Sequence, residues 1–291
     1  FRGFGGPQGM LAIENIIEEI AYNLGIDSLA VRRVNYYQQK SNNITPYLQV
    51  VEDNIISEIT TQLVDESGYE KRRKKVARFN QQNQYLKKGL AISPVKFGIS
   101  FTTSLLNQAG ALVHVYKDGS IYLNHGGTEM GQGLFIKIAQ VVADEFGVNL
   151  ERVKVSATST AKVPNTSPTA ASSGSDLNGM AAREACIRIK SNLVAFASNH
   201  FDIDESDIKF IKSLVYLGEK KMSFDDFIKL AYLNRVELFS NGYYKTPKIY
   251  YDEAKKRGRP FYYYSYGACV SEVIVDCLTG EYKLLAVDIL H

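Results

Sequence analysis

Apolar residues recur at helical spacing near the start of the chain. Isoleucines fall at three- and four-residue steps across residues 13–20, which predicts a helix over residues 7–25, with proline in its first turn and glycine at its end. Asp27 and Ser28 predict the cap of a second helix, because short polar side chains accept hydrogen bonds from the first free backbone amides. Similar spacing across residues 55–63 predicts a third helix.

Beyond residue 94 the pattern favours strands. Two β-rich runs flank Asp118–Gly119, a pair typical of a hairpin turn, and two more in the tail meet at Thr279–Gly280. Helical spacing returns over residues 133–146 and 176–199. Strands and helices without regular alternation predict an α+β fold.

Length and charge set the outer limits. The 291 residues suit one large domain or two smaller ones, and the pattern predicts a mostly helical segment over residues 1–88 and an α+β segment over residues 89–291. A net charge of +3 is too small to demand a nucleic-acid or anionic-membrane partner, and we expect neither. No apolar run reaches the roughly 18 residues of a membrane helix. Three cysteines without a CxxC pair predict a reduced, cytoplasmic protein without a disulfide framework or zinc site.

One stretch is strongly charged, residues 70–78, which read EKRRKKVAR. Binding of single-stranded nucleic acid would favour aromatic side chains interleaved on the same surface, and this stretch lacks them. We interpret it as the solvated face of a helix or loop.

Three turns rich in small and polar residues precede predicted helices. They cover residues 2–9, 125–133 and 164–176. A helix N-terminus presents unpaired backbone N–H groups and the positive end of the helix dipole, so it suits a phosphate or an oxo group. Two interpretations remain open from spacing alone. The turns are either three ordinary helix caps or parts of one site that binds a large polar cofactor from several sides.

Familiar cofactor and catalytic motifs are missing from the sequence. It has no G-x-G-x-x-G, no G-x-x-x-x-G-K-[ST] and no G-x-S-x-G, which argues against dinucleotide, P-loop and hydrolase chemistry. The four histidines are too scattered for a metal site built from side chains, although His125 is placed to line the second turn. Any metal is therefore expected to arrive within its own organic ligand.

Several stretches together resemble the molybdopterin-binding portion of the xanthine dehydrogenase family. They occur in the family's order and cover most of the chain, and the segment GYYKTP favours xanthine dehydrogenases over the related aldehyde oxidases. The matching stretches are FRGFGGPQ (1–8), LNQAGALVHVYKDGS (106–120), HGGTEMGQG (125–133), VPNTSPTAASSGSD (163–176), GYYKTP (242–247) and FYYYSYGACVSEVIVDCLTGEYK (261–283).

This resemblance implies part of a purine hydroxylase. In the family, a molybdenum ion held by molybdopterin converts hypoxanthine and xanthine to uric acid through a metal-bound hydroxide, with hydride transfer to a sulfido ligand. The implied partners are a purine substrate and the domains or subunits that carry 2Fe-2S clusters, FAD and NAD. A homo-oligomeric parent enzyme is also implied.

The resemblance also implies which residues bind the cofactor. Gln132 would donate a hydrogen bond to an oxo ligand, Met130 and Gly131 would shape the pterin channel, and Arg2 would contact the cofactor region from the opposite side. The third turn would meet the pterin and its phosphate. Its implied contact residues are Ala171, Ser172, Ser173 and Ser175.

The implied substrate pocket is aromatic. Phe4 and Phe101 resemble the two family phenylalanines that enclose a flat substrate, one stacked on its face and the other edge-on, which are the geometries that ring quadrupoles favour. Thr102 would hydrogen-bond the purine edge, while the small side chains of Ala170 and Ala171 would leave room beside the metal.

The acid–base group of the family is not among these residues. Its general base is a glutamate, expected downstream of His291, and two polar substrate contacts are expected upstream of Phe1. We therefore expect no catalytic residue in this chain and interpret it as a fragment that is inactive alone. Two alternatives remain: an aldehyde oxidase that uses the same cofactor, or a non-catalytic scaffold paralogue.

Overall fold

The computed structural model describes residues 3–291, which fall into two compact units. Unit 1 contains the described residues up to Gly98 together with Asp252–Arg259 and Tyr263–His291. Unit 2 contains Ile99–Tyr251 and Pro260–Tyr262. The division after residue 88 stays a prediction.

The described residues form helices and strands in an irregular order, which confirms the predicted α+β fold. The helices are α1 (Gly6–Leu24), α2 (Ser28–Asn35), α3 (Ile56–Glu66), α4 (Tyr69–Gln82), α5 (Leu134–Phe146), α6 (Gly174–Phe201) and α7 (Phe224–Leu233). The strands are β1 (Leu86–Ile99), β2 (Gln108–Val115), β3 (Ile121–His125), β4 (Val153–Val155), β5 (Ile208–Ile211), β6 (Leu214–Leu217), β7 (Lys220–Ser223), β8 (Phe239–Lys245), β9 (Tyr250–Asp252), β10 (Arg257–Arg259), β11 (Tyr263–Asp276) and β12 (Tyr282–Leu290).

Unit 1 combines helices α1 to α4 with a sheet of strand order β1-β11-β12. The predicted caps are confirmed: Asp27 accepts a 2.8 Å hydrogen bond from the backbone N–H of Leu29, and Gly25 ends α1 in the left-handed conformation. Helix α3 packs against β11 and β12. Buried Arg32 ties α2 to α1 by ion pairs with Glu14 and Glu18.

The charged stretch lies within α4 and is not wholly solvated, contrary to the expectation. The guanidinium of Arg72 pairs with Glu272 of β11 at 3.0 Å and with Asp288 of β12 at 2.5 Å. Arg73 pairs with Asp27 at 2.8 Å. Helical periodicity places these two arginines toward protein while neighbouring lysines face water, a distinction that composition alone does not provide.

Unit 2 is built on a sheet of strand order β4-β3-β2-β8, in which only the pairing of β3 with β4 is parallel. Helices α5 and α6 pack against each other, and α6 also covers β2 and β8. A second, antiparallel sheet joins β5, β6 and β7. Apolar side chains from both helices and the strands form one continuous core.

Helix α6 approaches the sheet closely because its packing face is made of small residues. Ala181 and Ala185 are fully buried, and Gly242 of β8 lies against their backbone. The glycine in the GYYKTP segment is therefore required for packing of strand against helix.

Among residues 3–291, no helix is both long and apolar enough to cross a membrane. The described residues also contain no cluster of three or more histidine, cysteine, aspartate or glutamate side chains suited to a metal ion.

Candidate functional site

The second predicted turn, residues 125–133, leads directly into α5, and the side chain of Glu129 caps the N-terminus of that helix. Its carboxylate accepts hydrogen bonds from the backbone N–H groups of Gly131 (2.8 Å), Gly133 (3.1 Å) and Phe135 (3.1 Å). These hydrogen bonds, that from Phe135 foremost, lower the pKa of Glu129. The N-terminus of α5 thus carries its own anion, and the cofactor contacts assigned to this turn stay a prediction.

Gln132 is folded onto the same turn. Its Oε1 accepts a 2.6 Å hydrogen bond from the N–H of Met130, and its Nε2 donates to the carbonyl oxygen of Thr128 at 3.0 Å. The amide has a second N–H, so one donor remains for a ligand. Gly131 has a φ of 87°, a left-handed conformation that favours glycine.

The third turn, residues 164–176, enters α6 through two unusual residues. Ala171 and Ser172 have φ values of 53° and 57°, which are rare for residues with a side chain. Ser173 is buried, and its hydroxyl donates to the carbonyl oxygen of Ala170 at 3.1 Å, while Ser172 and Ser175 are exposed. Of the three predicted serine contacts, only Ser172 and Ser175 are therefore exposed to a ligand from solvent.

The start of α6 differs from the start of α5. Its cap residue Ser173 makes no side-chain hydrogen bond to the first turn of the helix. The first turn of α6 contains the carboxylate of Asp176, so an acidic side chain lies at the start of both helices, although only that of Glu129 is seen to accept hydrogen bonds from several backbone N–H groups.

The structure brings the second and third turns together within unit 2. The Oγ1 of Thr169 accepts a 2.8 Å hydrogen bond from the N–H of Thr128. Gly126 lies so close to Thr166 that an added Cβ would stand 2.9 Å from the Thr166 Cβ. Glycine at this position therefore allows the two turns to touch.

Three buried polar atoms next to this junction have no hydrogen-bond partner: His125 Nε2, Thr166 Oγ1 and Asn178 Oδ1. The Nδ1 of His125 accepts a 3.1 Å hydrogen bond from the N–H of Gly127, which leaves the proton of the neutral ring on Nε2. Burial lowers the pKa of His125 to about 4, so the ring stays neutral near pH 7. One unpaired donor and two unpaired oxygens make this junction suited to a polar group or an ordered water.

Neutral, buried His125 predicts a pH-dependent stability. Its pKa is about 4 in the folded chain and about 6.5 in the unfolded chain, so between these values the unfolded state binds an additional proton. Stability is then full above pH 6.5 and falls by about 2 kcal/mol as the pH drops from 6.5 to 5. Urea unfolding of the wild type and of His125→Gln at several pH values checks this. The variant should lose the fall in unfolding free energy between pH 6.5 and 5, which is the slope of stability against pH. Equal slopes in the two proteins would contradict it.

The predicted substrate residues Phe101 and Thr102 lie on a loop held by buried Asn107. Its side chain accepts a 2.7 Å hydrogen bond from the N–H of Phe101 and donates to the carbonyl oxygens of Phe101 (3.0 Å) and Thr103 (3.2 Å). Ser100, just before the loop, has a φ of 141°. A residue with a side chain adopts such an angle only where its surroundings enforce it, and such residues cluster at functional sites.

The remaining predicted site residues are placed as follows. Phe4 lies in the first turn of unit 1 with its side chain 88% exposed, and Arg2 lies outside the described residues. Ala170 is exposed and Ala171 is half-buried, both within the third turn of unit 2. The pairing of Phe4 with Phe101, which belong to different units, stays a prediction.

A family described as molybdopterin cofactor-binding domain matches residues 62–291, and a second model of the same description matches residues 1–36. The chain belongs to the molybdopterin cofactor-binding domain family. The resemblance stated from the sequence motifs is thereby confirmed. The exposed serines and the unpaired polar atoms of this cofactor-binding domain are compatible with a polar ligand.

Individual relatives of this molybdopterin cofactor-binding domain are much longer proteins. Xanthine dehydrogenase/oxidase of Gallus gallus is 43% identical over 289 residues, which cover 99% of the chain and 20% of that relative. Xanthine dehydrogenase of Dictyostelium discoideum is 43% identical over 293 residues, which cover 100% of the chain and 20% of that relative. The chain thus spans about a fifth of the length of these curated relatives.

A solved structure shares the fold. CO dehydrogenase from Oligotropha carboxidovorans superposes with a TM-score of 0.81 at 20% identity, covering 97% of this chain and 36% of that one. At this identity the likeness concerns the fold of the molybdopterin cofactor-binding domain alone.

Sequence reasoning missed Glu129, Asn107 and Thr169, the side chains that fix the two turns and the Phe101 loop. A glutamate followed by glycines two and four positions later, just before a helix, is a signal that could have predicted the carboxylate bound to backbone amides. Asn107 and Thr169 act through contacts visible only in the folded chain, with no local pattern to mark them.

Proposed function

We propose that this chain forms the cofactor-binding part of a molybdenum hydroxylase that oxidises a purine such as hypoxanthine or xanthine. The observation that carries the proposal is the junction of the second and third turns, where Thr128 and Thr169 meet beside an uncapped helix N-terminus. The family match and the xanthine dehydrogenase relatives support it. The bound cofactor would supply molybdenum as the acceptor of two electrons from the substrate.

Each group of residues has a proposed task. The N-terminus of α6, with the hydroxyls of Ser172 and Ser175, would bind the pterin phosphate without a lysine, since backbone amides and the helix dipole favour an anion. Gln132 would direct its second amide N–H at the metal's oxo ligand. Met130 and Gly131 would border the pterin.

The substrate would lie between aromatic rings. Phe101, fixed through Asn107, would offer its ring to the flat purine, with Phe4 as the second ring and Thr102 as a hydrogen-bond partner at the purine edge. Ala170 and Ala171 would keep this space free of bulk, and Arg2 would assist from the opposite side. The general base and the 2Fe-2S, FAD and NAD centres would come from the rest of a homo-oligomeric enzyme in the cytoplasm.

Substrate class is tested by replacing the proposed purine contact. In the natural protein that carries these residues, Thr102→Val should lower kcat/KM for xanthine about 10- to 100-fold, because a buried purine edge would lose its partner. Turnover of a simple aromatic aldehyde should change less than about threefold.

The neighbouring Thr103→Val serves as the matched control, since only the backbone carbonyl of Thr103 takes part in the Asn107 network. Equal losses on both substrates would remove Thr102 from purine recognition. A wild-type preference for the aldehyde would move the parent enzyme to the aldehyde oxidases and leave the cofactor residues as assigned.

A further inference from the structure

Asn107 of unit 2 is a buried residue, 2% exposed, whose side chain is bonded to the Phe101 loop, residues 101–104. Its Oδ1 accepts a hydrogen bond from the N–H of Phe101 at 2.7 Å. Its Nδ2 donates to three carbonyl oxygens of the loop, those of Phe101 (3.0 Å), Thr103 (3.2 Å) and Ser104 (3.3 Å). One side chain thus satisfies backbone groups of a segment that lies outside any helix or sheet.

The backbone next to Asn107 is tied to the third turn. The N–H of Gln108 donates to the Oγ of Ser167 at 3.3 Å, and the N–H of Ser167 donates to the carbonyl oxygen of Gln108 at 3.0 Å. Pro164 lies so close to Gly110 that a Cβ added to this glycine would stand 2.9 Å from the Pro164 Cβ. The first residues of the third turn therefore run along the start of β2, which Asn107 directly precedes.

The end of β8 holds the same two residues from another side. The carbonyl oxygen of Asn107 accepts a 3.0 Å hydrogen bond from the N–H of Thr246, and the hydroxyl of Tyr243 donates to the Oε1 of Gln108 at 2.6 Å. Asn107 and Gln108 are thus fixed to β8 and to the third turn. The side chain of Asn107 extends this fixed frame to the Phe101 loop.

The backbone at the entrance to the loop is strained. Ser100 is buried and has a φ of 141°, an angle that a residue with a side chain adopts only under constraint. The hydrogen bonds from Asn107 begin at the next residue, Phe101. They oppose the relaxation that a free loop would undergo.

We propose that Asn107 is a positioning residue that holds the Phe101 loop at a fixed distance from the third turn. The inference rests on the proposed function, in which Phe101 and Thr102 meet the flat substrate and the third turn meets the cofactor. A loop that is already in place loses little conformational freedom when the substrate binds. A loop that is correctly placed for only a fraction of the time binds more weakly by that same fraction.

The experiment replaces Asn107 in the natural, full-length enzyme. Asn107→Leu keeps the approximate size of the side chain and removes all of its hydrogen bonds to the loop. We expect KM for xanthine to rise about 10-fold or more and kcat to change less than about threefold, because substrate binding suffers more than the chemical step. Molybdenum content should stay at the wild-type level, since Gln108 still binds Ser167.

Asn107→Asp distinguishes the hydrogen bonds from the fold of the loop. A protonated carboxyl group can accept from the N–H of Phe101 and donate to a loop carbonyl, whereas an ionised one sets a second oxygen against those carbonyls. Burial and the facing carbonyl oxygens raise the pKa of such a carboxyl group above the ordinary value of about 3.9. The ratio of the variant's KM to that of the wild type should therefore rise about 10-fold between about pH 5.5 and 8.5. The same ratio for Asn107→Leu should stay constant with pH.

Asn54→Asp is the matched control. Asn54 is a buried asparagine of unit 1, 5% exposed, that also binds backbone: its Nδ2 donates to the carbonyl oxygen of Tyr37, and its Oδ1 accepts from the N–H of Ile56 at 3.3 Å. It reports the general cost of a buried carboxylate. Its KM ratio should not change with pH.

Hydrogen exchange without substrate tests the loop itself. Amides of residues 100–106 should exchange faster in Asn107→Leu than in the wild type, and in Asn107→Asp only at the higher pH. Unchanged exchange in this segment, a KM ratio for Asn107→Asp as constant as that of Asn54→Asp, or a loss of molybdenum that accounts for the lost activity would overturn the proposal. If the wild type prefers the aldehyde, the purine assignment fails, and the same KM ratios measured on that aldehyde decide the role of Asn107.

Discussion

Gly242→Ala is expected to destabilise unit 2 by about 3 kcal/mol or more. A Cβ on this residue would overlap the carbonyl oxygen of Ala181 and stand 2.6 Å from the backbone nitrogen of Ala185. Both obstacles are backbone of α6, which cannot rotate away as a side chain can. Strand β8 would have to move away from the helix, and core packing would be lost.

Thermal unfolding followed by circular dichroism measures this effect. A loss of 3 kcal/mol corresponds to a fall in Tm of roughly 6–12 °C for a unit of this size. Gly179→Ala in α6 is the matched control, because its Cβ would meet the Val141 side chain at an ordinary 3.6 Å and alanine favours the helix. Similar melting temperatures for the two variants would refute the close packing of β8 on α6.

Glu14→Gln should destabilise unit 1 by about 3 kcal/mol. Arg32 is only 3% exposed, and the Glu14 carboxylate accepts hydrogen bonds from its Nε at 3.1 Å and its Nη2 at 2.5 Å. Removal of this negative charge leaves a buried guanidinium with Glu18 as its remaining ion-pair partner. Loss of the less exposed of its two partners is costly for a buried charge, because the protein interior solvates it poorly.

Glu18→Gln tests whether the loss of stability depends on how deeply the carboxylate is buried or only on the number of carboxylates beside Arg32. It removes the same charge and the same type of contact to Arg32, at 2.9 Å, but Glu18 is 49% exposed. The expected loss is below about 1 kcal/mol, as for other solvent-screened pairs. Urea titration of both variants provides the comparison, and losses of equal size would show that burial of Glu14 does not matter.

The elements with strong local signals were predictable from the sequence. Helices α1, α2 and α5 match their predicted positions because caps and glycine stops at Asp27, Gly25 and Gly147 agree with the apolar periodicity. Strands β5, β6 and β7 were not predicted. Each has only four residues, which is too short for an alternation of apolar and polar residues to stand out in the sequence. The charged helix α4 was misjudged because its partners Glu272 and Asp288 lie some 200 residues away.

The same distinction holds at the candidate site. The positions of the second and third turns before α5 and α6 follow from glycines and polar residues in the sequence, and the structure confirms that both helices begin there. The hydrogen bonds by which the Glu129 carboxylate binds the first amides of α5 are contacts that spacing does not reveal. The burial of the Ser173 hydroxyl likewise follows only from the folded turn.

The interruption of unit 1 by unit 2 has a consequence for synthesis in the cell. Helices α1 to α4 leave the ribosome before unit 2, but strands β11 and β12, against which α3 packs, emerge only after the roughly 150 residues of unit 2. At ribosomal rates of about 5–20 residues per second, this delay lasts on the order of ten seconds. During that time Arg72 has neither of its acidic partners and the apolar side of α3 lacks its sheet, so unit 2 is the first to complete its core.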